Sequence, residues 1–440
     1  MKKLIDMAII QAMIADFVFL IQTSWILGCQ AFLYYTGVRN ALNCTKAFAE
    51  KLGGINMFYI KALQSLSTNA HVLNPDQIEY LSQFTDHVPF HPDEIDTTFE
   101  ESIQEVSATN NWKFEISKTQ GMLVPMRAGM VAVVYEGNLN GERVVIKVVR
   151  KGAVQRIKEA LDRIEFLVRC TSWFPYLRDL NLRDLICENR EDMLQQTDFN
   201  NEVSNIERMH RHWDKMDYVV VPKVYQEYTN ANNSVIVMQW LDGQRMEAID
   251  KKDSDAYSML LAKYSAKCLL FDRYFHGDLH AGNIFFMKDE NGALQLGIID
   301  YGVMGELTKR EQNLFYQFFT SVSTTSDYLD VADVMIDAIA EPKTAVDALS
   351  NDDRESLRRD LAAITKVAFT QKENMGPEEI YQINRRLRRH GLTLAKSFCR
   401  VELALAISDS VCARLGVETT YLTNIQKAVR EMFNLELITC

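Results

Sequence analysis

The stretch HGDLHAGNIFF, from His276 to Phe286, constrains this chain more than any other. Asp278 and Asn283 stand five positions apart in it, and after a hydrophilic turn the run GIIDYG brings a second aspartate, Asp300. Apolar residues on both sides of that turn predict a β-hairpin that presents Asp300 opposite the other two. The spacing predicts a phosphoryl-transfer centre, in which Asp278 faces a hydroxyl while Asn283 and Asp300 hold Mg²⁺. The alternative is a hairpin whose Asp and Asn residues only serve turns.

A lysine on a predicted strand supplies the positive charge that such a centre needs. In ERVVIKVVRKG, Lys147 lies among β-branched residues, which favour a strand. A lysine buried there without a partner would be costly, and its expected partner is Glu202. Glu202 lies in TDFNNEVSNIERM, whose apolar residues recur at helical spacing. The alternatives are an edge-strand lysine that points into water and an exposed helix carboxylate.

Several motifs, in this order along the chain, resemble the UbiB/ADCK family of aarF-domain-containing atypical kinases, which are linked to ubiquinone and other isoprenoid-lipid metabolism. They include KLGGINMFYIKALQSLS, DHVPF, VVIKVVRKG, TDFNNEVSNIERM, HGDLHAGNIFF and IIDYGVMGELT. The resemblance covers most of the chain, from about Leu52 to about Gly416. It implies an α+β, bilobal protein-kinase-like fold with a small β-containing N-lobe, a mainly helical C-lobe and a helical N-terminal extension.

The resemblance also implies ATP and Mg²⁺ as cofactors and gives these residues roles. Lys147 would contact the α- and β-phosphates, Glu202 would orient it, and Asp278 would be the catalytic-loop carboxylate. Asn283 and Asp300 would bind magnesium. A strand from Val235 would lead into a hinge that holds adenine, formed by Met238, Gln239, Trp240 and Leu241; the alternative is a buried aliphatic strand.

The chain departs from the family in its extension. A K-x-G-Q motif there folds over the active site in relatives and restrains protein-kinase activity. Here Lys61 and Gln64 match it, but Leu63 replaces the glycine and its backbone freedom. The E-x-D partner motif aligns with Gln196, Thr197 and Asp198, which leaves Asp198 as the expected anchor.

The predicted phosphate-covering loop, Arg127 to Val134, differs as well. Gly129 is its only glycine, and backbone N–H groups approach phosphates most closely where no Cβ intervenes. We therefore expect weak or unusually posed nucleotide binding at this loop. Arg127 is either a cation for phosphate or a solvated loop residue.

The N-terminal stretch from Phe17 to Tyr35 has no formal charge and is long enough to cross a hydrocarbon layer of about 30 Å as a helix. Its polar residues oppose this, because polar groups inside a membrane are costly unless they find partners. Three arrangements stay open: a membrane-inserted helix, a helix packed on the rest of the protein or on a partner, and an amphipathic helix on a membrane surface.

The expected organisation has four parts. These are an apolar leader (residues 1–50), a helical extension with the K-x-G-Q-like motif (51–115), an N-lobe with a helical insertion (116–241) and a helical C-lobe (242–440). The net charge of −11 argues against nucleic acid as a partner.

The resemblance implies an intracellular atypical kinase or ATPase that would act in lipid or isoprenoid-quinone metabolism, and association with a membrane stays open. A protein substrate is disfavoured, because GVMGELTKREQ after Asp300 includes no A-P-E element. The alternatives are a small-molecule phosphotransferase of the aminoglycoside or choline kinase type and a nucleotide-binding pseudokinase scaffold. The oligomeric state stays open.

Overall fold

The computed structural model describes residues 2–60, 77, 80–81, 92–171, 190, 193–324, 327–372, 377–417 and 419–432. The chain forms two compact units. The first comprises Met1–Asn201 and Tyr225–Gln239, and the second comprises Glu202–Val224 and Trp240–Cys440. The first contains a small antiparallel sheet and the second is mainly helical, which confirms the predicted α+β class.

The sheet of the first unit follows from alternating apolar residues and one turn. Along its central strand, Val144, Ile146 and Val148 are buried, whereas the residues between them are half-buried. Asn140 and Gly141, with φ of 54° and 95°, form the two-residue turn before that strand, and Asn-Gly is favoured in such turns. In the order β1-β3-β4-β6, with β2 also paired to β3, the strands are β1 Phe114–Ile116, β2 Arg127–Ala128, β3 Ala132–Leu139, β4 Glu142–Val149 and β6 Val235–Gln239.

The helices of the first unit pack into two cores. Phe99, Ile103 and Tyr228 lie with the buried face of the sheet in one core. Phe19, Tyr59 and residues of the helix after β4 form the other. The helices are α1 Lys2–Tyr35, α2 Ala41–Ile55, α3 Thr98–Thr109, α4 Ala153–Thr171 and α6 Gln226–Ala231, and α5 Phe199–Trp213 begins in this unit and continues in the second.

The second unit packs helices around one three-stranded sheet, two short strand pairs and one continuous core that includes Ile206, Leu261, Ile284 and Ile298. Its strands are β5 Val219–Val220, β7 Tyr274–His276, β8 Ile284–Lys288, β9 Leu294–Ile298, β10 Met304–Glu306, β11 Ala340–Glu341 and β12 Thr393–Leu394. Its helices are α7 Ser254–Lys267, α8 Lys309–Thr324, α9 Tyr328–Ile339, α10 Lys343–Asp347, α11 Asn351–Val367, α12 Pro377–Arg389, α13 Lys396–Arg414 and α14 Tyr421–Met432.

Gly305 gives a test of the packing around the β7–β10 pair. It lies opposite Phe275, and a Cβ on Gly305 would overlap the Phe275 ring. We expect Gly305→Ala to destabilise the protein by about 1–3 kcal/mol, because overpacking forces neighbours to shift. Gly54→Ala in α2 is the control, since its added Cβ has no neighbour within 4 Å. Thermal unfolding followed by circular dichroism compares them, and equal melting temperatures would contradict this packing.

Candidate active site

The HGD loop, defined here as His276–Asn283, follows β7 and is closed by bonds among its own residues. The Asn283 N–H donates to the His280 carbonyl oxygen at 2.9 Å, and Asn283 Nδ2 donates to the Asp278 carbonyl oxygen at 3.0 Å. Gly282 N–H donates to His280 Nδ1 at 3.0 Å. Because the amide nitrogen of Asn283 is used in this way, its Oδ1 atom is directed away from that carbonyl, as a metal ligand requires.

His276 lies buried beneath this loop, with 3% of its surface exposed. Asp278 N–H donates to His276 Nδ1 at 3.1 Å, so Nε2 bears the ring hydrogen and faces the Ile299 carbonyl oxygen at 3.4 Å. Burial lowers the pKa of His276, although the nearby Asp278 and Asp300 carboxylates oppose that shift. The imidazole is therefore neutral and connects the loop to the strand before Asp300.

The predicted hairpin is present in the second unit, and it places the end of the HGD loop beside the residue that precedes Asp300. β8 and β9 pair from Ile284 opposite Ile298, and Ile299 N–H donates to the Asn283 carbonyl oxygen at 3.0 Å. Asp300 comes next, with a φ of 61°, a backbone conformation that is uncommon outside glycine and often found at functional sites. The chemical roles of these donors stay predictions.

Helix α5 is fastened to this region by a residue that the sequence did not reveal. Asn205 is 7% exposed, its Nδ2 donates to the Tyr301 carbonyl oxygen at 2.8 Å, and Tyr274 Oη donates to Asn205 Oδ1 at 2.5 Å. One turn further on, Arg208 makes two hydrogen bonds with Glu306, at 3.0 and 2.8 Å. The helix is thus held to the D-Y-G turn itself and to β10, which follows the turn. The only sequence signal was an asparagine next to the apolar stripe of α5.

Arg245 is a second residue that sequence reasoning missed. It donates to the Gly282 carbonyl oxygen at 2.6 Å, and its guanidinium lies 4.0 Å from the centre of the Phe285 ring. It therefore supports the HGD loop between Asp278 and Asn283. A basic residue in the segment LDGQR gave no hint of this partner, which lies 37 positions away.

In the first unit, Lys147 lies on β4 between β3 and β6, opposite Val134 and Ile236. It is therefore on a central strand, which removes the edge-strand alternative. Its Nζ atom is 5.4 Å from the centre of the buried Phe199 ring, a cation–π contact. In the second unit, Glu202 is 1% exposed, which removes the alternative of an exposed helix carboxylate.

Of the predicted hinge residues, Met238 and Gln239 lie at the end of β6, and Trp240 and Leu241 follow it. Met238 is buried and Gln239 ends β6. Trp240 Nε1 donates to Asp242 Oδ1 at 2.8 Å, and Leu241 is 6% exposed. Their role toward adenine stays a prediction.

The regulatory residues are only partly described. Lys61 and Gln64 lie outside the described residues. Asp198 is exposed at the start of α5, where its Oδ1 accepts a hydrogen bond from the Asn200 N–H at 3.0 Å. Its role as an anchor for the extension stays a prediction.

A loop that joins Asp278 to Asn283, a D-Y-G turn and a small antiparallel sheet with a central lysine define a kinase-like protein. A family model, the ABC1 atypical kinase-like domain, matches residues 85–335, and the chain belongs to this family. The predicted membership of the UbiB/ADCK kinases is confirmed.

Curated relatives are similar over part of their length. The probable protein kinase UbiB of Sodalis glossinidius is 26% identical over 291 residues, which cover 64% of this chain and 51% of that protein. That of Aeromonas salmonicida is 28% identical over 309 residues, 68% of this chain and 54% of that protein. The chain thus spans about half the length of these relatives. A solved complex of Rv3197 with erythromycin from Mycobacterium tuberculosis has a TM-score of 0.45 and 16% identity, and covers 78% of this chain and 87% of that one.

The neutral His276 predicts a pH dependence of stability. Its folded-state pKa is lowered, so near and below about pH 6.5 the unfolded chain takes up a proton that the folded imidazole resists. Stability should therefore fall as the pH falls from 7.5 to 5.5. In His276→Gln this loss should be smaller, with a lower melting temperature at pH 7.5 because the loop contacts are altered. Melting temperatures across this range measure it, and parallel pH profiles of the two proteins would contradict the assignment.

Proposed function

We propose that this chain binds ATP with Mg²⁺ and catalyses slow hydrolysis or transfer of the γ-phosphoryl group. The observation that supports this most is the closed HGD loop and its hairpin, which connect the backbone of Asp278 and Asn283 to the residue before Asp300. A loop that only served a turn would not need a buried, neutral histidine beneath it. The membership of an atypical kinase family supports the same conclusion.

The residues present fit a magnesium ion. The Oδ1 atom of Asn283 and the carboxylate of Asp300 are hard oxygen donors of the kind that Mg²⁺ prefers. In the described parts of the chain, no three His, Cys, Asp or Glu side chains form a cluster that could hold a metal. Magnesium in phosphoryl-transfer sites usually completes its shell with phosphate oxygens and water. When bound, the ion would neutralise charge that develops on the phosphates.

The other residues have roles that their surroundings support. Asp278 is half-buried and would accept the proton of the attacking hydroxyl. Lys147, held on a central strand, would contact the phosphates, and the buried Glu202 would orient it. The segment from Met238 to Leu241 would hold the adenine ring.

The acceptor that we propose is a lipid or isoprenoid-quinone compound rather than a protein. Only Tyr301 to Thr308 separate Asp300 from helix α8, and Met304–Glu306 already pair with β7. This short segment offers little backbone to dock a peptide as an added strand. The choice of an isoprenoid compound rests on the resemblance to the UbiB/ADCK kinases alone.

We further propose that α1 rests on a lipid surface. One described helix, Asp16–Tyr35 within α1, is long and apolar enough to cross a membrane by length and composition. Its exposed side chains include Phe17, Ile21, Trp25 and Phe32, between 53% and 72% exposed. An exposed apolar surface of this extent usually marks an interaction site.

The inward face of α1 supports this orientation. Phe19, Thr23, Ile26 and Gln30 are buried, and Phe19 stacks on Tyr59 at 4.8 Å. Two of these four buried residues are polar, and the exposed face carries large apolar side chains together with Gln22 and Ser24. A helix with large aromatic and aliphatic side chains exposed along one face suits contact with a lipid surface.

Two substitutions separate binding from chemistry. Asp300→Asn should abolish the Mg²⁺-dependent thermal stabilisation by ATP, because a carboxylate ligand becomes a neutral amide. Asp278→Asn should keep most of that stabilisation and lower ATP turnover by at least about a hundredfold, as loss of a catalytic acid–base group does. Asp255→Asn, at an exposed position in α7, is the control.

The outcomes distinguish the alternatives. Equal stabilisation of Asp300→Asn and wild type would reject the metal assignment. Binding without turnover in the wild type would favour the pseudokinase scaffold. Turnover equal to wild type in Asp278→Asn would remove this residue from the chemistry.

Flotation with anionic liposomes tests the outward face of α1. Ile21→Glu combined with Trp25→Glu places charges on that face, and we expect this variant to stay with the soluble fraction while wild type floats. Gln22→Glu adds a charge at a neighbouring exposed position and should float less strongly than wild type but more than the double variant. Equal flotation of wild type and the double variant would reject lipid contact through this face.

A further inference from the structure

Arg150 is a buried charge directly after β4. Its side chain is 5% exposed, and isolated charges of this kind are costly unless they are paired. The partner is Glu94: Arg150 Nε donates to Glu94 Oε2 at 3.0 Å, and the Nη2 atom contacts the same oxygen. Two nitrogens of Arg150 contact the same carboxylate oxygen, so the guanidinium cannot rotate freely. The direction of its Nη1 atom is therefore fixed.

Glu94 is itself held from several sides. Its Oε1 accepts a hydrogen bond from Arg156 Nη1 at 2.7 Å, and its carbonyl oxygen accepts one from Lys151 N–H at 2.7 Å. Arg156 lies in α4, and its carbonyl oxygen accepts a bond from Asn56 Nδ2 at 2.8 Å. Glu94 therefore joins its own segment to the end of β4 through Arg150 and to α4 through Arg156.

The remaining donor of Arg150 reaches the phosphate-covering loop. Arg150 Nη1 donates to the Gly129 carbonyl oxygen at 2.8 Å. Gly129 lies in the turn between β2 and β3, where its N–H donates to the Ala132 carbonyl oxygen at 2.8 Å. The next residue, Met130, is 7% exposed and packs in the same core as Phe58. Arg150 N–H also donates to the Val131 carbonyl oxygen at 2.9 Å, so the Gly129 turn (Gly129–Val131) is held by hydrogen bonds from Arg150 and by the apolar packing of Met130.

We propose that Glu94, acting through Arg150, is a positioning residue that sets the Gly129 turn for the phosphates of the nucleotide. This proposal deepens the ATP site proposed above and rests on it. The phosphate-covering loop has a single glycine, so it cannot approach phosphate with the freedom of a glycine-rich loop. A loop with a single glycine depends on contacts with other residues for its conformation. The hydrogen bond from Arg150 to Gly129 is one such contact. Neutralising Glu94 removes the carboxylate charge that Arg150 Nε and Nη2 contact, and the guanidinium then moves from its place beside Gly129.

The test compares nucleotides with and without phosphates. Glu94→Gln should weaken Mg·ATP binding about tenfold, a change of about 1.4 kcal/mol, while adenosine binding stays within about twofold of wild type. Glu136→Gln is the control: it makes the same chemical change in a half-exposed pair with Arg143 on the same sheet. Fluorescence titration with ATP and with adenosine measures both affinities. Adding Glu94→Gln to Arg150→Met should have no further effect if Glu94 acts through Arg150.

Hydrogen exchange gives a readout that needs no nucleotide. Amides between Ala128 and Val133 should exchange faster in Glu94→Gln than in Glu136→Gln. Unchanged exchange there, or an equal loss of ATP and adenosine affinity, would overturn the positioning role. Wild-type protein that binds no ATP would instead overturn the proposed function, while the exchange result would still decide whether Glu94 holds the turn. If Glu94→Gln fails to fold, Glu94→Asp, which retains the charge at shorter reach, should show the same differences at smaller size.

Discussion

The hydrogen bonds of Asn283 are the constraint on which the second unit's site depends. Its side chain closes the HGD loop onto the Asp278 backbone, and its carbonyl oxygen accepts from Ile299, directly before Asp300. Both contacts require the register in which Ile284 lies opposite Ile298. A slip of one residue would turn Asp300 to the opposite face, since strand side chains alternate. The hairpin register is therefore as important to the site as the identity of its acidic residues.

Two features of the hairpin fix the register of β8 against β9. In the hairpin turn, Asp289 Oδ1 accepts hydrogen bonds from Asn291 N–H at 2.9 Å and Ala293 N–H at 2.7 Å, which fixes the loop length. In β9, a Cβ on Gly297 would lie 2.6 Å from Met287 Sδ and 3.3 Å from Phe285 Cβ, so a larger residue there would require these side chains to shift. The turn and the close approach favour the same alignment, and neither acts on the catalytic-type residues directly. A site can in this way be specified by residues that never touch its ligand.

The parts that were predictable from the sequence rest on short-range patterns. The spacing of HGDLHAGNIFF and GIIDYG predicted the hairpin, and the β-branched run around Lys147 predicted its strand, because strand and turn preferences act over a few residues. The supports of the site could not be found in this way. Arg245 and Gly282 are 37 positions apart, Glu94 and Arg150 are 56 apart, and Asn205 and Tyr301 are 96 apart. A polar residue that is satisfied by a distant backbone carbonyl looks like any solvated residue until the fold is known.

Helix α1 shows the same limit in another form. Its apolar residues surround most of the helix, so periodicity alone could not separate a membrane-inserted helix from one that packs on the protein. In the structure, one face of α1 contacts other parts of the protein. Gln30 Oε1 accepts a hydrogen bond from Arg39 Nη1 at 3.0 Å, and the Gln30 carbonyl oxygen accepts one from Cys44 Sγ at 3.4 Å. These contacts satisfy the side-chain oxygen and the backbone carbonyl oxygen of Gln30 on the protein side. The large exposed side chains of α1 are apolar, so their transfer from water to lipid is favourable. This is the physical reason to place a lipid boundary at that face.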